Sequence, residues 1–212
     1  MNPNIYITSD WHINEPNVLK FNDTPFKTLD EYRHGLVTNY NRVVRDLDRV
    51  YFLGDIANKK FEETKAVINQ LKGTKFIVLG NHDTRGRQFW YNLGFTEVFE
   101  SVSLTLGKYR VFLNHYPLYG IKREDTSKMK GCTGKEFFHG HDKWFKKGYL
   151  YNFQEIHPYW YFCHGHIHSP NSGQSVKILD RQFDCGVFAN NFKLVSFYKD
   201  VQSWIMKHQQ SV

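Results

Sequence analysis

FIVLGNHD, residues 76–83, carries an apolar, β-rich run straight into Asn81, His82 and Asp83 instead of into the Gly, Pro and Ser of an ordinary turn. The run reads as a strand closed by Gly80. The three residues after it are ones that no core would choose and that a metal ion would use. The arrangement recurs along the chain. Residues 5–8 lead to Asp10-Trp11-His12, residues 50–53 to Gly54-Asp55, residues 111–113 to Asn114-His115, and residues 159–163 to His164-Gly165-His166-Ile167-His168. Five expected strands therefore end in Asp, Asn or His. In open α/β sheets ligands collect beyond the carboxyl ends of strands, where loops converge and backbone groups are free, so all five groups are expected at one place.

Helical patterns lie between the early strands. From Thr28, the residues Leu29, Tyr32, Leu36, Tyr40 and Val43 recur at three- and four-residue steps. Thr28 followed by Glu31 is a capping box, which satisfies two orphan amides at the helix start. A second helix is expected over 61–72, capped by Gly73, and a third over 87–93, capped by Gly94. A further strand is expected over 194–198. Strand and helix alternate in the first half, and strands follow one another with less helix later. That pattern predicts an α/β fold with two mixed sheets packed face to face and flanked by helices.

The 212 residues suit a single domain spanning 1–212. Hydrophobic residues at 41% and aromatics at 17% exclude a disordered chain, and the apolar runs are too short to span a bilayer. Met1-Asn2-Pro3-Asn4 has neither the basic nor the apolar region of a leader, and the three cysteines (Cys132, Cys163, Cys185) are odd in number and widely spaced. Both features lead us to expect a cytoplasmic protein with reduced thiols. A net charge of +7 favours polyanionic partners. One segment, a long excursion at about 119–158, is rich in Lys and Arg and poor in apolar periodicity. Such loops in compact domains are usually lids, binding loops or disordered segments.

Burying several histidines, two carboxylates and an amide together without a cation would cost several kcal/mol. Metal ions remove that cost. Imidazole with carboxylate and amide oxygens suits Mn, Fe, Zn, Ni or Co, and seven candidate ligands are too many for one such ion, so two divalent ions are expected, Mn²⁺ first among them. In extended chain, Asp10 with His12 and His166 with His168 would each present both side chains to one side, because strand side chains alternate.

The succession Asp-x-His, Gly-Asp, Gly-Asn-His-Asp, His and Gly-His-x-His, running from Asp10 to His168, resembles the calcineurin-like metallophosphoesterase superfamily. Residues 10–17, Thr24-Pro25-Phe26 and His115-Tyr116-Pro117-Leu118 resemble a compact group of predicted phosphohydrolases of bacteria and phages. The resemblance implies a four-layer αββα sandwich. It also implies Asp10, His12 and His168 on one metal, Asn81, His115 and His166 on the other, Asp55 bridging both, and His82 as a catalytic histidine that is not a ligand. Where that group continues its first motif with Gly-His, this chain has Asn14-Glu15.

The expected activity is hydrolysis of phosphate mono- or diesters, of nucleotides in the first instance, by attack of a hydroxide bridging the two metals. His82 could protonate the leaving oxygen. Asp83 is the expected carboxylate partner of a metal-bound imidazole. Lys122, Arg123 and His141 in the excursion are candidate substrate contacts. A nuclease acting on single-stranded nucleic acid is the alternative, because the excursion interleaves Lys with Phe137, Phe138, Trp144, Phe145 and Tyr149. A third reading is a scaffold that binds metal without turnover. His164 is ambiguous between a site role and support of the sheet, whereas His34, His139, His157 and His208 are expected to be solvated or packing residues.

Overall fold

The computed structural model describes residues 3–20, 24–57, 60–121, 149–152, 157–168 and 181–210. The first sheet has the order β11-β1-β2-β3-β4, from Val195–Ser196, Ile5–Thr8, Arg49–Phe52, Thr74–Val78 and Glu97–Phe99. β1 to β4 are parallel and β11 is antiparallel to β1. The second sheet has the order β10-β9-β6-β5, from Gln182–Asp184, Trp160–His164, Tyr109–Leu113 and Val102–Leu106. Here β10, β9 and β6 are parallel, and β5 forms an antiparallel hairpin with β6. Both sheets are mixed and helices flank them, so the expected α/β class is the observed one.

Alternation along the central strands sets the layering. In β2, Val50 and Phe52 face one cluster with Trp11, Tyr32, Leu36, Tyr40 and Ile77, whereas Tyr51 and the following Leu53 face a second cluster. The first cluster lies under helices α1 (Leu29–Val43), α2 (Phe61–Ile68) and α3 (Arg87–Leu93). The second joins the two sheets, through Ile7, Val78, Val111, Leu113, Tyr161 and Cys163. Helix α4 (Gln202–Gln210) contributes Ile205 to it. A strand buried on both faces is apolar at successive positions, as Val50-Tyr51-Phe52-Leu53 is.

Helix α1 starts where its capping signal lies. The Glu31 amide donates to Thr28 Oγ1 at 3.1 Å, and the Glu31 carboxylate accepts from the Lys27 amide at 2.8 Å, one residue before the usual reciprocal position. Its buried residues Tyr32, Leu36 and Tyr40 form one stripe at four-residue steps. Gly94 caps α3 in the left-handed conformation.

Other boundaries moved. Helix α2 ends at Ile68, not Lys72, and Gly73 serves the entry to β3, where a Cβ would meet the Asp48 carbonyl oxygen at 2.7 Å. The strand expected over 194–198 keeps only Val195–Ser196. Ser196 then caps a π-helical turn, Phe197–Val201, by accepting from the Lys199 amide. Strands β4, β5 and β10 and helix α4 were not expected. Nor were β7 (Leu118–Ile121) and β8 (Tyr149–Asn152), which pair in parallel at the two ends of the basic excursion. Lys122, Arg123, His139 and His141 lie outside the described residues, as do Phe137, Phe138, Trp144 and Phe145. Among the described residues, no helix is long and apolar enough to cross a membrane.

Candidate metal centre

The strand ends that carry the polar residues belong to β1, β2, β3, β6 and β9, the parallel strands at the middle of the two sheets. Hydrogen bonding continues past the strands and zips their loops together. In the first sheet the amides of Asp10, His12 and Ile13 donate to the carbonyls of Gly54, Asp55 and Ile56 at 3.0, 2.9 and 2.9 Å. In the second, Asn114 donates to Cys163 and Gly165 to His115, both at 3.0 Å. The first loop is further fixed from below: Trp11 is fully buried, its indole N–H donates to Thr8 Oγ1 at 2.8 Å, and its carbonyl accepts from Tyr32 Oη at 2.7 Å.

Two donor clusters result. Asp10, His12, Asp55 and His168 place one ligand atom each within 4.8 Å of one another, and so do Asp55, His115 and His166. Asn81 joins the second, with Oδ1 2.9 Å from His115 Nε2. In each cluster two imidazole nitrogens face one another at 3.1 Å: His12 Nε2 with His168 Nε2, and His115 Nε2 with His166 Nδ1. Two nitrogens bound to one ion at about 2.1 Å with a near-right angle between them lie about 3.0 Å apart. The donor set therefore fits a pair of ions.

Asp55 belongs to both clusters. Its Oδ1 accepts from the His82 amide at 2.9 Å, which turns Oδ2 to the centre, 3.4 Å from His115 Nε2 and 3.9 Å from His12 Nε2. Asp10 joins the sheets, because both of its oxygens accept from the His166 amide, at 3.1 and 3.0 Å. His115 Nδ1 donates to the Leu53 carbonyl at 2.7 Å, a bond across the sheets that leaves Nε2 as the free ligand atom.

The electrostatics follow from this crowding. Burial alone would raise the Asp10 carboxyl, but His168, His115 and His12 hold it well below the usual carboxylate range. Asp55 is likewise lowered against its burial, chiefly by His115. Burial opposes protonation of His115, yet Asp55, Asp10 and the Leu53 carbonyl raise it to about 9. His166 goes the other way, down to about 4, through burial and the neighbouring His115.

The pairs Asp10/His12 and His166/His168 do not converge by strand alternation. Asp10, His12, Asp55, His166 and His168 all have positive φ, at 60°, 42°, 55°, 74° and 57°. Each costs about 1–3 kcal/mol in a non-glycine residue, so the fold holds five strained residues at one place. The strands stop at Thr8 and His164, and left-handed turns, not extended chain, aim the side chains. Two glycines make room. A Cβ on Gly80 would collide with the Asp55 carboxylate, and one on Gly165 with Ser9 Oγ and the Asp10 carboxylate.

Asp83 is buried, but its partners are amides. Oδ2 accepts from Asp55 at 2.7 Å and from Gly80 at 2.8 Å, and Oδ1 from Ile56 at 3.3 Å. It ties the β2 and β3 loops together. Burial and the Asp55 carboxylate push it up to about 7, against the pull of those amides. His82 is on the rim, 29% exposed, with Nε2 3.9 Å from Asp55 Oδ2 and Nδ1 3.9 Å from Glu15 Oε1.

Sequence reasoning gave Glu15 no role, yet its carboxylate lies 3.1 Å from His12 Nδ1. Ser9 was also missed; its hydroxyl donates to the Leu53 carbonyl at 2.8 Å. Only spacing, three residues after a candidate ligand, could have pointed to Glu15. His164 is buried beside the site, with Nδ1 2.9 Å from the Gly165 carbonyl oxygen. His208 stacks on Trp204, and His34 lies on α1 within 3.4 Å of Thr38 Oγ1.

Comparison with known proteins accords with this geometry. Residues 3–197 match the calcineurin-like phosphoesterase family. An uncharacterized protein of Methanocaldococcus jannaschii is 39% identical over 87 residues, which is 40% of this chain and 49% of that protein, so the match spans about half of the relative. The fold is similar to the crystal structure of a protein of unknown function from Aquifex aeolicus, with a TM-score of 0.61 and 20% identity over 93% of this chain and 97% of that one. Phosphopantetheinyl hydrolase from Mycobacterium tuberculosis is a more distant match, with a TM-score of 0.45 and 13% identity over 94% and 97% of the two chains. From Asp10 to His168 the residues that converge lie inside the matched region, and the chain belongs to the calcineurin-like phosphoesterase family.

Proposed function

We propose that this chain is a metal-dependent phosphoesterase that hydrolyses phosphate mono- or diesters, nucleotides first among them, and that residues 1–212 form one domain. The observation that carries the reading is Asp55 Oδ2 standing between two sets of imidazole nitrogens that face one another at 3.1 Å. Asp10, His12 and His168 would hold one divalent ion and Asn81, His115 and His166 the other, with Asp55 shared. The oxygen and imidazole donors favour Mn²⁺, with Fe, Ni, Zn or Co as substitutes. Bound, the pair would acidify a water and offset charge on the phosphoryl oxygens.

The chain's own residues do the rest. Asp10 and Asp55 stay ionised despite burial, which keeps two negative charges for the cations. Asp83 fixes the loop amides around Asp55. His82, on the rim, is the proton donor to the leaving oxygen. The chain's net charge of +7 supports an anionic substrate. Two buried free thiols, Cys163 and Cys185, support a reducing compartment such as the cytoplasm.

The test is a hydrolysis screen with Mn²⁺ over para-nitrophenyl phosphate, its bis ester, cyclic nucleotides and single-stranded DNA. Turnover of small esters that is lost on chelation supports the reading. Cleavage of DNA alone, with steep salt dependence, would replace it with a nuclease. Two bound metals and no turnover of any ester would leave a scaffold.

A further inference from the structure

The loop after His12 holds a carboxylate that faces two site imidazoles. Glu15 Oε1 lies 3.1 Å from Nδ1 of His12 and 3.9 Å from Nδ1 of His82. The two rings stand edge to face with centroids 5.2 Å apart, so one oxygen is close to the outer nitrogen of His12 and within ion-pair range, though beyond a hydrogen bond, of that of His82. Their inner nitrogens face the centre: His12 Nε2 is 3.1 Å from His168 Nε2, and His82 Nε2 is 3.9 Å from Asp55 Oδ2.

The backbone holds Glu15 there. Its amide donates to the His12 carbonyl at 2.9 Å and its carbonyl accepts from Val18 at 3.1 Å, at the start of a 3-10 helix over Pro16–Lys20. Asn14 beside it is clamped: its Nδ2 donates to Thr64 Oγ1 at 2.8 Å, and its Oδ1 accepts from Arg33 Nη2 at 2.7 Å. Arg33 itself engages Asp30 at 3.0 Å, Glu63 at 3.1 Å and the Ile13 carbonyl at 3.0 Å. The Arg33 guanidinium is thus taken up by these other acceptors.

We infer that Glu15 is a positioning residue: facing His12 Nδ1 as an ion pair and not as an aligned hydrogen bond, its charge favours the Nδ1–H tautomer of His12, which leaves Nε2 for a metal, and the same charge acts at longer range on His82 at the rim. A metal-side imidazole whose other N–H meets a carboxylate is held in orientation and made a better ligand, and loss of such a partner typically weakens metal binding 10- to 100-fold. The inference rests on the proposed two-metal phosphoesterase.

The test compares wild type, Glu15→Gln and Glu15→Asp in calorimetric titrations with Mn²⁺, and in rates on aryl phosphates of graded leaving-group pKa. Glu15→Gln is expected to bind one Mn²⁺ as wild type does and the other about 10- to 100-fold more weakly. Its rate should fall more steeply on poor leaving groups than on para-nitrophenyl phosphate. Glu15→Asp, which keeps the charge with a shorter reach, should lie between. Two unchanged Mn²⁺ affinities would overturn the role toward His12, and an unchanged leaving-group dependence the role toward His82. Equal weakening of both Mn²⁺ sites, in step with lower thermal stability, would reduce Glu15 to a packing residue. Those results leave wild type a two-metal phosphoesterase. A wild type that binds fewer than two Mn²⁺, or hydrolyses no ester, would remove the parent reading and this inference with it.

Discussion

The Oδ1 oxygen of Asp55 accepts the backbone N–H of His82 at 2.9 Å, and this one bond turns the other oxygen of Asp55 toward both imidazole clusters. Replacing Asp55 by Asn keeps the shape but removes one of the two carboxylate charges that the site offers the cations. Metal content is expected to fall below two per chain, and the hydrolysis rate by roughly 100-fold or more. Elemental analysis with steady-state kinetics checks this, and an unchanged rate would show that the carboxylate is not shared.

His82 lies within reach of the rim, yet its ring is 3.9 Å from the nearest Asp55 oxygen, beyond a hydrogen bond. His82→Gln should therefore retain both metals while losing about 10² to 10⁴ in rate on poor leaving groups, and much less on good ones. Equal loss on both classes would argue against proton donation.

His115 is raised to about 9, so in the metal-free protein it carries a proton through the neutral range. A ligand imidazole must be neutral, and Mn²⁺ binding at pH 7–8 should release about one proton from this group, with apparent affinity rising about tenfold per pH unit up to about 9. His166, lowered to about 4, is already neutral and adds none. The sign for stability is the same as for any raised base: the stabilisation from protonated His115 is present below about 6.5 and is lost as pH rises through about 9. Titrations in buffers of different ionisation enthalpy, with metal-free melts across this range, check both statements.

A Cβ on Gly165 would collide with Asp10 and Ser9, and one on Gly80 with Asp55, whereas one on Gly86 meets nothing within 4 Å. Gly80→Ala and Gly165→Ala are expected to lower stability by about 1–3 kcal/mol and to reduce Mn²⁺ occupancy. Gly86→Ala at the start of α3 should cost at most about 1 kcal/mol and leave metal content alone. Melting curves and elemental analysis distinguish them.

Asp83 receives amides from Gly80, Asp55 and Ile56. Asp83→Ala strips those donors of their acceptor in a buried place. Metal-free stability should fall by roughly 2–4 kcal/mol, measured by urea denaturation, with Asp83→Asn in between.

The central strands and the convergence of their ends were legible because two local signals agree there. Residues 76–79 are apolar and β-rich, and Asn81 follows after one glycine; Asp55 and His115 likewise follow their strands after one intervening residue, Gly54 and Asn114. What was illegible depends on contacts distant in sequence. The left-handed turns at Asp10, His12, His166 and His168 are held by bonds such as that from the His166 amide to Asp10, 156 positions apart, and no local pattern announces them. Short edge strands such as Glu97–Phe99 and Gln182–Asp184 owe their pairing to a neighbouring strand already in place. The turn at Phe197 was hidden because Phe197 and Tyr198 suit a strand as well as a helix, and the bond from the Lys199 amide to Ser196 decides between them. Glu15 was invisible as a site residue because a lone acidic residue in a loop is ordinarily solvated; only the folded position of His12 gives it a partner.

Anomalous diffraction from crystals grown with Mn²⁺ tests the central claim most directly. The account predicts two peaks about 3.5–4 Å apart, with Asp55 Oδ2 between them, the nitrogens of His12 and His168 at one and those of His115 and His166 at the other. A single peak, or two peaks without Asp55 between them, would contradict it.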